Sequence, residues 1–474
     1  MKKFNKDKYL RKLKFKRYWQ TNSRYFYIGI PCLLCLVLGI YFAYSKFFVS
    51  SEEEVIRTTV GEFIYGDIIM TPYIDGEYSS TFPEKKTGTN VEKVVCDNGV
   101  TASWDEDKWG LYVTNLSKRT KCSVYFVTPN SCGINDNVSC INSREGLATL
   151  ANEVNNGDNK SGKIIYLTSD LDLGGKFDND GKALNGNISW TPIGTGSNPF
   201  SGTFDGNGHI ISNMYINRPN DDNNGLFGRA ENGFVKNLGV VSSYVTGSYN
   251  QGGIVGILGT ILNCFSEVTI KGNARTAGVC GAACLVKNSY NLGNVTNGFD
   301  ALAGGISGGW GTIKNCYNVG DITSNGDSVG GIVGWSSKVY NSYNLGKVVV
   351  VSNRTDKSGG IMGQGAVDDG SKYSILINNF NAGTTNGGGI IGGQYAVSDY
   401  QNFKLLLNGN YFLTDTAKYG LGTYRSNQGA EPLSQDEMPS VISVINGDNA
   451  FVEDTNNINN GYPILKWQAE RKNN

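Results

Sequence analysis

The sequence predicts an all-β protein built from stacked, repeated coils, a β-solenoid, and three observations carry that expectation. One phrase recurs with a period near 26 residues from about Gly225 to Lys418. Glycine is in excess, at 63 of 474 residues, while proline stays at 10, so the excess does not come from a Pro/Gly-rich linker. Within each period a short aliphatic run and an Asn-x-Tyr run are separated by glycine turns, which is strand grammar.

The phrase is plainest at Gly330-Gly331-Ile332-Val333-Gly334, followed by Asn341-Ser342-Tyr343-Asn344-Leu345-Gly346. It opens at Gly252, Ala277, Gly304, Gly359 and Gly388 as well, and a shorter form begins at Gly225. Asn263, Asn288, Asn315, Asn341 and Asn378 hold matching places, as do Phe265, Tyr290, Tyr317, Tyr343 and Phe380. Stacked coils would align these as an amide ladder and an aromatic ladder, both turned inward. The paired glycines are expected at coil corners, where they permit positive φ and close backbone approach.

A solenoid must shield its first open edge. Residues 131–224 supply the entry: Ser143 is placed to cap a helix to Asn155, with Leu147, Leu150, Ala151 and Val154 on one face. Residues 225–418 form the repeats, and residues 419–474 a C-terminal cap in which Tyr462, Leu465 and Trp467 pack on the last coil. An exposed, sugar-binding aromatic patch is the rival reading of those three.

Residues 68–130 read as a small β module with hairpin turns at Asp75-Gly76 and Asn98-Gly99. Cys96 with Cys122, and Cys132 with Cys140, read as two local disulfides in an oxidising compartment. The order Cys96, Trp104, Trp109, Cys122 suggests a tryptophan packed on the first. Cys264, Cys280, Cys284 and Cys316 occupy apolar repeat positions and are expected as buried thiols.

Residues 1–24 carry ten basic side chains against Asp7 alone, which leaves 32 basic and 41 acidic residues beyond them. That imbalance disfavours nucleic acid as a partner. Residues 25–49 hold no charge except Lys46, so a transmembrane signal anchor is expected there. The positive-inside rule then puts the N-terminus in the cytoplasm and the bulk outside, with residues 50–67 as a connector. A cleaved signal peptide is the rival, although Ala43-Tyr44-Ser45 makes a poor cleavage site.

The repeated phrase, across about 200–418, resembles the GLUG-motif repeats of bacterial surface proteins. The block from Leu167 to Ile216, with Phe204-Asp205-Gly206-Asn207-Gly208, is similar to what precedes such repeats. The resemblance implies a right-handed parallel β-helix on a secreted or anchored protein, with adhesive or unknown roles. Such repeats also occur in zinc metallopeptidases that cleave immunoglobulin A. That chemistry needs His-Glu-x-x-His, and the single His209 is followed by Ile210.

No catalytic, cofactor-binding or metal-ligating set is expected. Asp170, Asp172, Asp178, Asn179 and Asp180 lack the spacing of a calcium loop and read as turn residues. His209 has no acidic partner near it in sequence. Glu267, Asp300, Asp321, Asp327 and Asp356 are scattered through the repeats, with Asp368 and Asp369 in a longer loop. A glycosidase needs two convergent carboxylates, so a polysaccharide-acting enzyme is the alternative to a non-enzymatic adhesion or interaction solenoid; a purely structural spacer is a third reading. The ligand, glycan or protein, is unassigned. The longer loops Ser352–Lys357 and Ala366–Lys372 are the expected contact surface.

Overall fold

The computed structural model describes residues 55–57, 63–65, 68–75, 77–78, 82–97, 100–105, 109–114, 120–298, 302–335, 337–365, 374–394, 406–423 and 425–471. These fall into two compact units. The first takes its described residues from 55–73, 78, 82, 93–97, 100–105, 109–114 and 120–124, and the second comprises 74–77, 83–92 and 125 onward. In the first, Val55–Arg57, Thr101–Asp105 and Gly110–Thr114 make a three-stranded antiparallel sheet. Cys96 is bonded to Cys122 there, and Trp104 meets Trp109 edge to face at 5.1 Å.

The second unit is a parallel β-solenoid of about 9 turns. Two long sheets, of 15 and 17 strands, receive strands from successive coils in parallel register. One representative coil runs through Ser307–Gly309 and Gly311–Lys314 in the first sheet, then Tyr317–Asn318, Ile322–Ser324 and Val329–Gly330 in the second. The aliphatic residues of the phrase, among them Ile254, Val279, Ile306, Ile332, Ile361 and Ile390, are fully buried in one continuous core. The helix Arg144–Asn155 is capped by the Ser143 hydroxyl, which accepts from the Gly146 amide. Its buried face of Leu147, Leu150, Ala151 and Val154 joins the same core at the first coils. Cys132 and Cys140 are joined beside it.

The expected amide ladder is present and longer than the repeats suggest. Asn237 donates to Asp205 Oδ1 at 2.9 Å, and Asn263, Asn288, Asn315, Asn341 and Asn378 each donate to the preceding asparagine at 3.0–3.2 Å. All six asparagines have positive φ. The left-handed corner therefore falls to asparagine, whose short amide tolerates it, and not to the paired glycines, which are absent from the positive-φ set. The glycines answer a different need. A second, fully buried ladder links Asn291, Asn318, Asn344 and Asn381 at 2.8–2.9 Å. A Cβ on Gly331 would lie 2.2 Å from Asn344 Cγ and from the Gly360 carbonyl oxygen. The second glycine of the phrase thus makes room for that ladder.

The aromatic ladder also forms, but it faces outward from the coil. Phe265, Tyr290, Tyr317 and Tyr343 stack with centroids 4.8–5.1 Å apart and planes within 12°. They belong to a cluster separate from the main core, roofed by the C-terminal segment. Within residues 419–474, Ala430–Leu433 pairs with Asn410–Leu413 on the last coil, and the chain then runs back along the ladder. Tyr462 lies against Phe380, Phe451 against Tyr343, Trp467 over Tyr290, and the Arg471 guanidinium 4.7 Å from the Phe265 ring. Tyr343 accepts from Asn459 and donates to the Pro463 carbonyl, Tyr317 donates to Gln468, and Trp467 donates to the Asn288 carbonyl. Aromatic stacks need a dry cover to keep their apolar area from water. With Tyr462 and Trp467 engaged in this way, they do not form an open sugar platform.

Two further expectations are corrected. No helix among the described residues is long and apolar enough to cross a membrane. The 12-residue helix Arg144–Asn155 spans about 18 Å, against a hydrocarbon core of about 30 Å. Residues 25–49 lie outside the described residues, so the single-pass anchor, and the topology with the bulk outside that rests on it, gains no support from the fold. The second correction concerns Cys280 and Cys284, which are joined to each other. Four residues of straight strand would hold their Cα atoms about 13 Å apart; the left-handed turn at Ala283 brings them to 6.5 Å.

Cys264 and Cys316 are free and buried, and burial pushes each thiol up from its ordinary 9.0 to about 12. The folded chain holds these protons more tightly than the unfolded chain. Their contribution to stability is therefore complete below about pH 9 and is lost as the pH rises towards 12. Both should resist iodoacetamide at pH 8 in native protein and react in denaturant, as read by mass spectrometry. Gly331→Ala should cost more than about 2 kcal/mol in urea unfolding. Adding Asn344→Ala should recover only part of that loss, because the Gly360 carbonyl still blocks the new methyl.

Candidate functional site

A groove opens on the outer face of the 17-stranded sheet, where a hairpin leaves the solenoid. Asp172 Oδ1 accepts from the Gly174 amide and turns the chain out of strand Leu171–Asp172. Phe177 then pairs antiparallel with Ala183, and Asp178 Oδ1 takes the amides of Asp180 and Lys182. The acidic run Asp178-Asn179-Asp180 is thereby a turn, and no cluster of metal-ligating side chains occurs among the described residues.

The hairpin is clamped to the sheet by aromatic contacts. Phe177 stacks on Tyr215 at 5.5 Å, and Tyr215 stacks on Tyr244 at 5.9 Å. Tyr215 donates to the Gly181 carbonyl, and Lys271, 5.6 Å from the Tyr244 ring centroid, donates to the Asp180 carbonyl. Burial, with Tyr215, Asp178 and Asp180 nearby, raises the Tyr244 phenol above its ordinary value. Gly181 must be glycine twice over: its φ is +81°, and a Cβ would sit 2.0 Å from Tyr244 Cζ.

Between hairpin and sheet the groove, open to solvent, has a volume of about 630 Å³, lined by Lys176, Phe177 and Leu184 on one side and Glu267, Leu292 and Asn294 on the other. Ser242, Ser243, Asn213 and Thr269 complete the lining. Ser242 has φ +48°, at the register shift between Val240 and Ser243. This bulge re-aims the strand beside the cavity, as bulges next to binding sites do. Leu184 and Leu292 are 51% and 37% exposed, so each wall offers apolar surface to an occupant. Glu267 is the one carboxylate lining the cavity and Lys176 the one cation.

Of the acids singled out in the sequence, Asp172, Asp178 and Asp180 shape the hairpin and Glu267 lines the groove, and the others described lie elsewhere. Asp321 accepts from the Lys347 amide one coil on. Asp327 binds both Arg354 and Lys357, so loop 352–357 is pinned to its neighbour by charge. Burial works against the Asp327 carboxylate, yet those two cations hold its pKa below the ordinary value. Asp300, Asp368, Asp369 and the loop 366–372 lie outside the described residues. His209 does have an acidic partner, Asp170, 3.1 Å away and 39 residues earlier. Burial opposes the Asp170 carboxylate, and the Ile210 amide and His209 outweigh it, holding the pKa low.

Sequence reasoning missed the groove because its walls come from segments over 50 residues apart, and because an Asp-rich turn was its main local signal. The pattern Phe177…Gly181 with Tyr215 and Tyr244 becomes informative only once coils are in register.

No family model matches the chain. A stretch of 140 residues, 29% of this chain, is 33% identical to Halomucin of Haloquadratum walsbyi and covers 2% of it. Another of 86 residues, 18% of this chain, is 38% identical to a protein of Evansella cellulosilytica described as "Putative Gly-rich membrane protein", and covers 9% of it. The chain thus spans a small fraction of the length of the curated relatives it matches. Among solved structures, one described as "a putative immunoglobulin A1 protease from Bacteroides ovatus" matches over 72% of this chain and 95% of that one. Its identity is 20% and its TM-score 0.41. The GLUG resemblance accordingly stands on the repeated phrase itself.

Replacing Gly181 by Ala should lift the hairpin from Tyr244. Cleavage within residues 176–184 under limited proteolysis should rise at least tenfold, while the solenoid's far-ultraviolet circular dichroism stays unchanged.

Proposed function

We propose that this chain acts by binding, as a non-enzymatic solenoid scaffold whose groove holds part of an extended surface polymer. One observation carries the reading: the groove is built by a hairpin that serves no coil of its own, is clamped through Tyr215 and Tyr244, and sets its exposed Leu184 across a polar floor from the exposed Leu292 of the sheet side. Rigid walls with mixed lining are how proteins hold a ligand at low ordering cost. The three disulfides suit an oxidising compartment, where such contacts are made. A hydrolytic site of the glycosidase type would need a second carboxylate opposite Glu267, and the lining offers none among the described residues.

The test is a screen of the full chain against glycans, matrix proteins and isolated cell envelopes. Binding to one class should fall at least tenfold in the double variant Leu184→Ser/Leu292→Ser, with the melting temperature held within a few degrees. Glu267-dependent release of reducing ends or unsaturated products from any polysaccharide would overturn the non-enzymatic reading.

A further inference from the structure

A separate part of the solenoid, away from the groove, carries a second site that stands on its own observations. At one corner of the coil the residues Asn223, Asn250 and Ser328 all have φ between 60° and 64°. In the same row Arg275 stands opposite Asn250, with φ +53°. Arginine is a poor occupant of that conformation, which asparagine and glycine accept.

The substitution also breaks a hydrogen-bonded chain. Asn250 Nδ2 donates to Asn223 Oδ1 at 2.7 Å, the same donor sense as in the long ladder, where each Oδ1 accepts from the next coil. The next coil here offers Arg275 instead of an amide, and Asn250 Oδ1, in a residue 6% exposed, is left without a partner. A corner that keeps its left-handed conformation with an ill-suited residue, and gives up its ladder, marks a place where side-chain chemistry outweighs stability.

That chemistry is a flat guanidinium between rings. The Arg275 Cζ lies 4.7 Å from the Trp310 ring centroid and 5.9 Å from that of Tyr249, which is 37% exposed. Stacking of this kind holds the faces of the guanidinium and leaves its in-plane N–H fork for an anion. Among the described residues no carboxylate is paired with Arg275. Leu302 and half-buried Trp335 flank Gly309 on the following coils and extend the apolar ground around the fork.

We propose that Arg275, held between Tyr249 and Trp310, forms a binding site for carboxylate-bearing sugar rings, the uronic acid units of an acidic polysaccharide. The fork takes the carboxylate in two parallel hydrogen bonds, and the surrounding rings offer faces and edges to the C–H side of the sugar. Beyond residue 24 the chain is acidic overall. Recognition of an anion must therefore come from a local contact of this kind, because long-range attraction is absent.

The decisive variant is Arg275→Asn in the full chain, probed by calorimetric titration with oligogalacturonate, its neutral counterpart oligogalactose, and polyglutamate. Restoring asparagine should rejoin the ladder and raise the melting temperature, while lowering affinity for oligogalacturonate at least tenfold. Trp310→Ala should lower it as well, and oligogalactose should bind at least tenfold more weakly than the uronate. Oligogalacturonate binding that is absent from the parent chain, or unchanged in Arg275→Asn, would overturn the proposal. Equal, Arg275-dependent binding of polyglutamate would overturn it too, assigning the site to acidic peptide instead.

Discussion

The constraint on which this solenoid depends is a line of side-chain amides that begins at a carboxyl group. Asp205 is fully buried and takes three donors: the Asn207 amide, Asn237 Nδ2 and Asn90 Nδ2. From Asn237 the line passes coil by coil to Asn378, and at the next corner stands Gly409, where a Cβ would press on Asn378 Oδ1. Every member donates in the same direction, so the amide dipoles add, and their positive ends point at Asp205. Each link contributes about 0.5–1.5 kcal/mol net, but the larger effect is on register. A slip of one residue would bury several unpaired amides at once, each costing about 1–3 kcal/mol.

Most of this was legible from the repeats. Asn288, Asn315 and Tyr317 recur at the coil period, and stacking them follows from the parallel geometry alone. The role of the glycine pair was not legible, because close approach and positive φ leave the same letter in the sequence. Only the coordinates show that Gly331 faces Asn344 while Asn341 carries the left-handed corner. The pairing of Cys280 with Cys284 was hidden for a related reason, since it depends on a local turn at Ala283 that no glycine announces.

The proposed binding surfaces were less legible than the scaffold, and the cause is physical. A solenoid repeats its core chemistry, so periodic residues report on folding and aperiodic ones on contact. The hairpin at 176–184 and the arginine at 275 are both interruptions of the pattern. Both break the coil period, so neither repeats in the sequence, and both stand out only against neighbouring coils held in register.

The C-terminal segment has a consequence for how the molecule holds together under stress. Solenoids are near one-dimensional: each coil knows only its neighbours, and an end can fray one turn at a time. Here a single covalent stretch after residue 434 touches the coils of Phe380, Tyr343, Tyr317, Tyr290 and Phe265 in turn. It acts as a batten nailed across planks. Loss of the last coil would pull on a segment anchored several coils upstream, so the local melting of a stack gives way to a collective event. Because this batten follows the coils in the sequence, the stacked rings wait uncovered until it too has been synthesised.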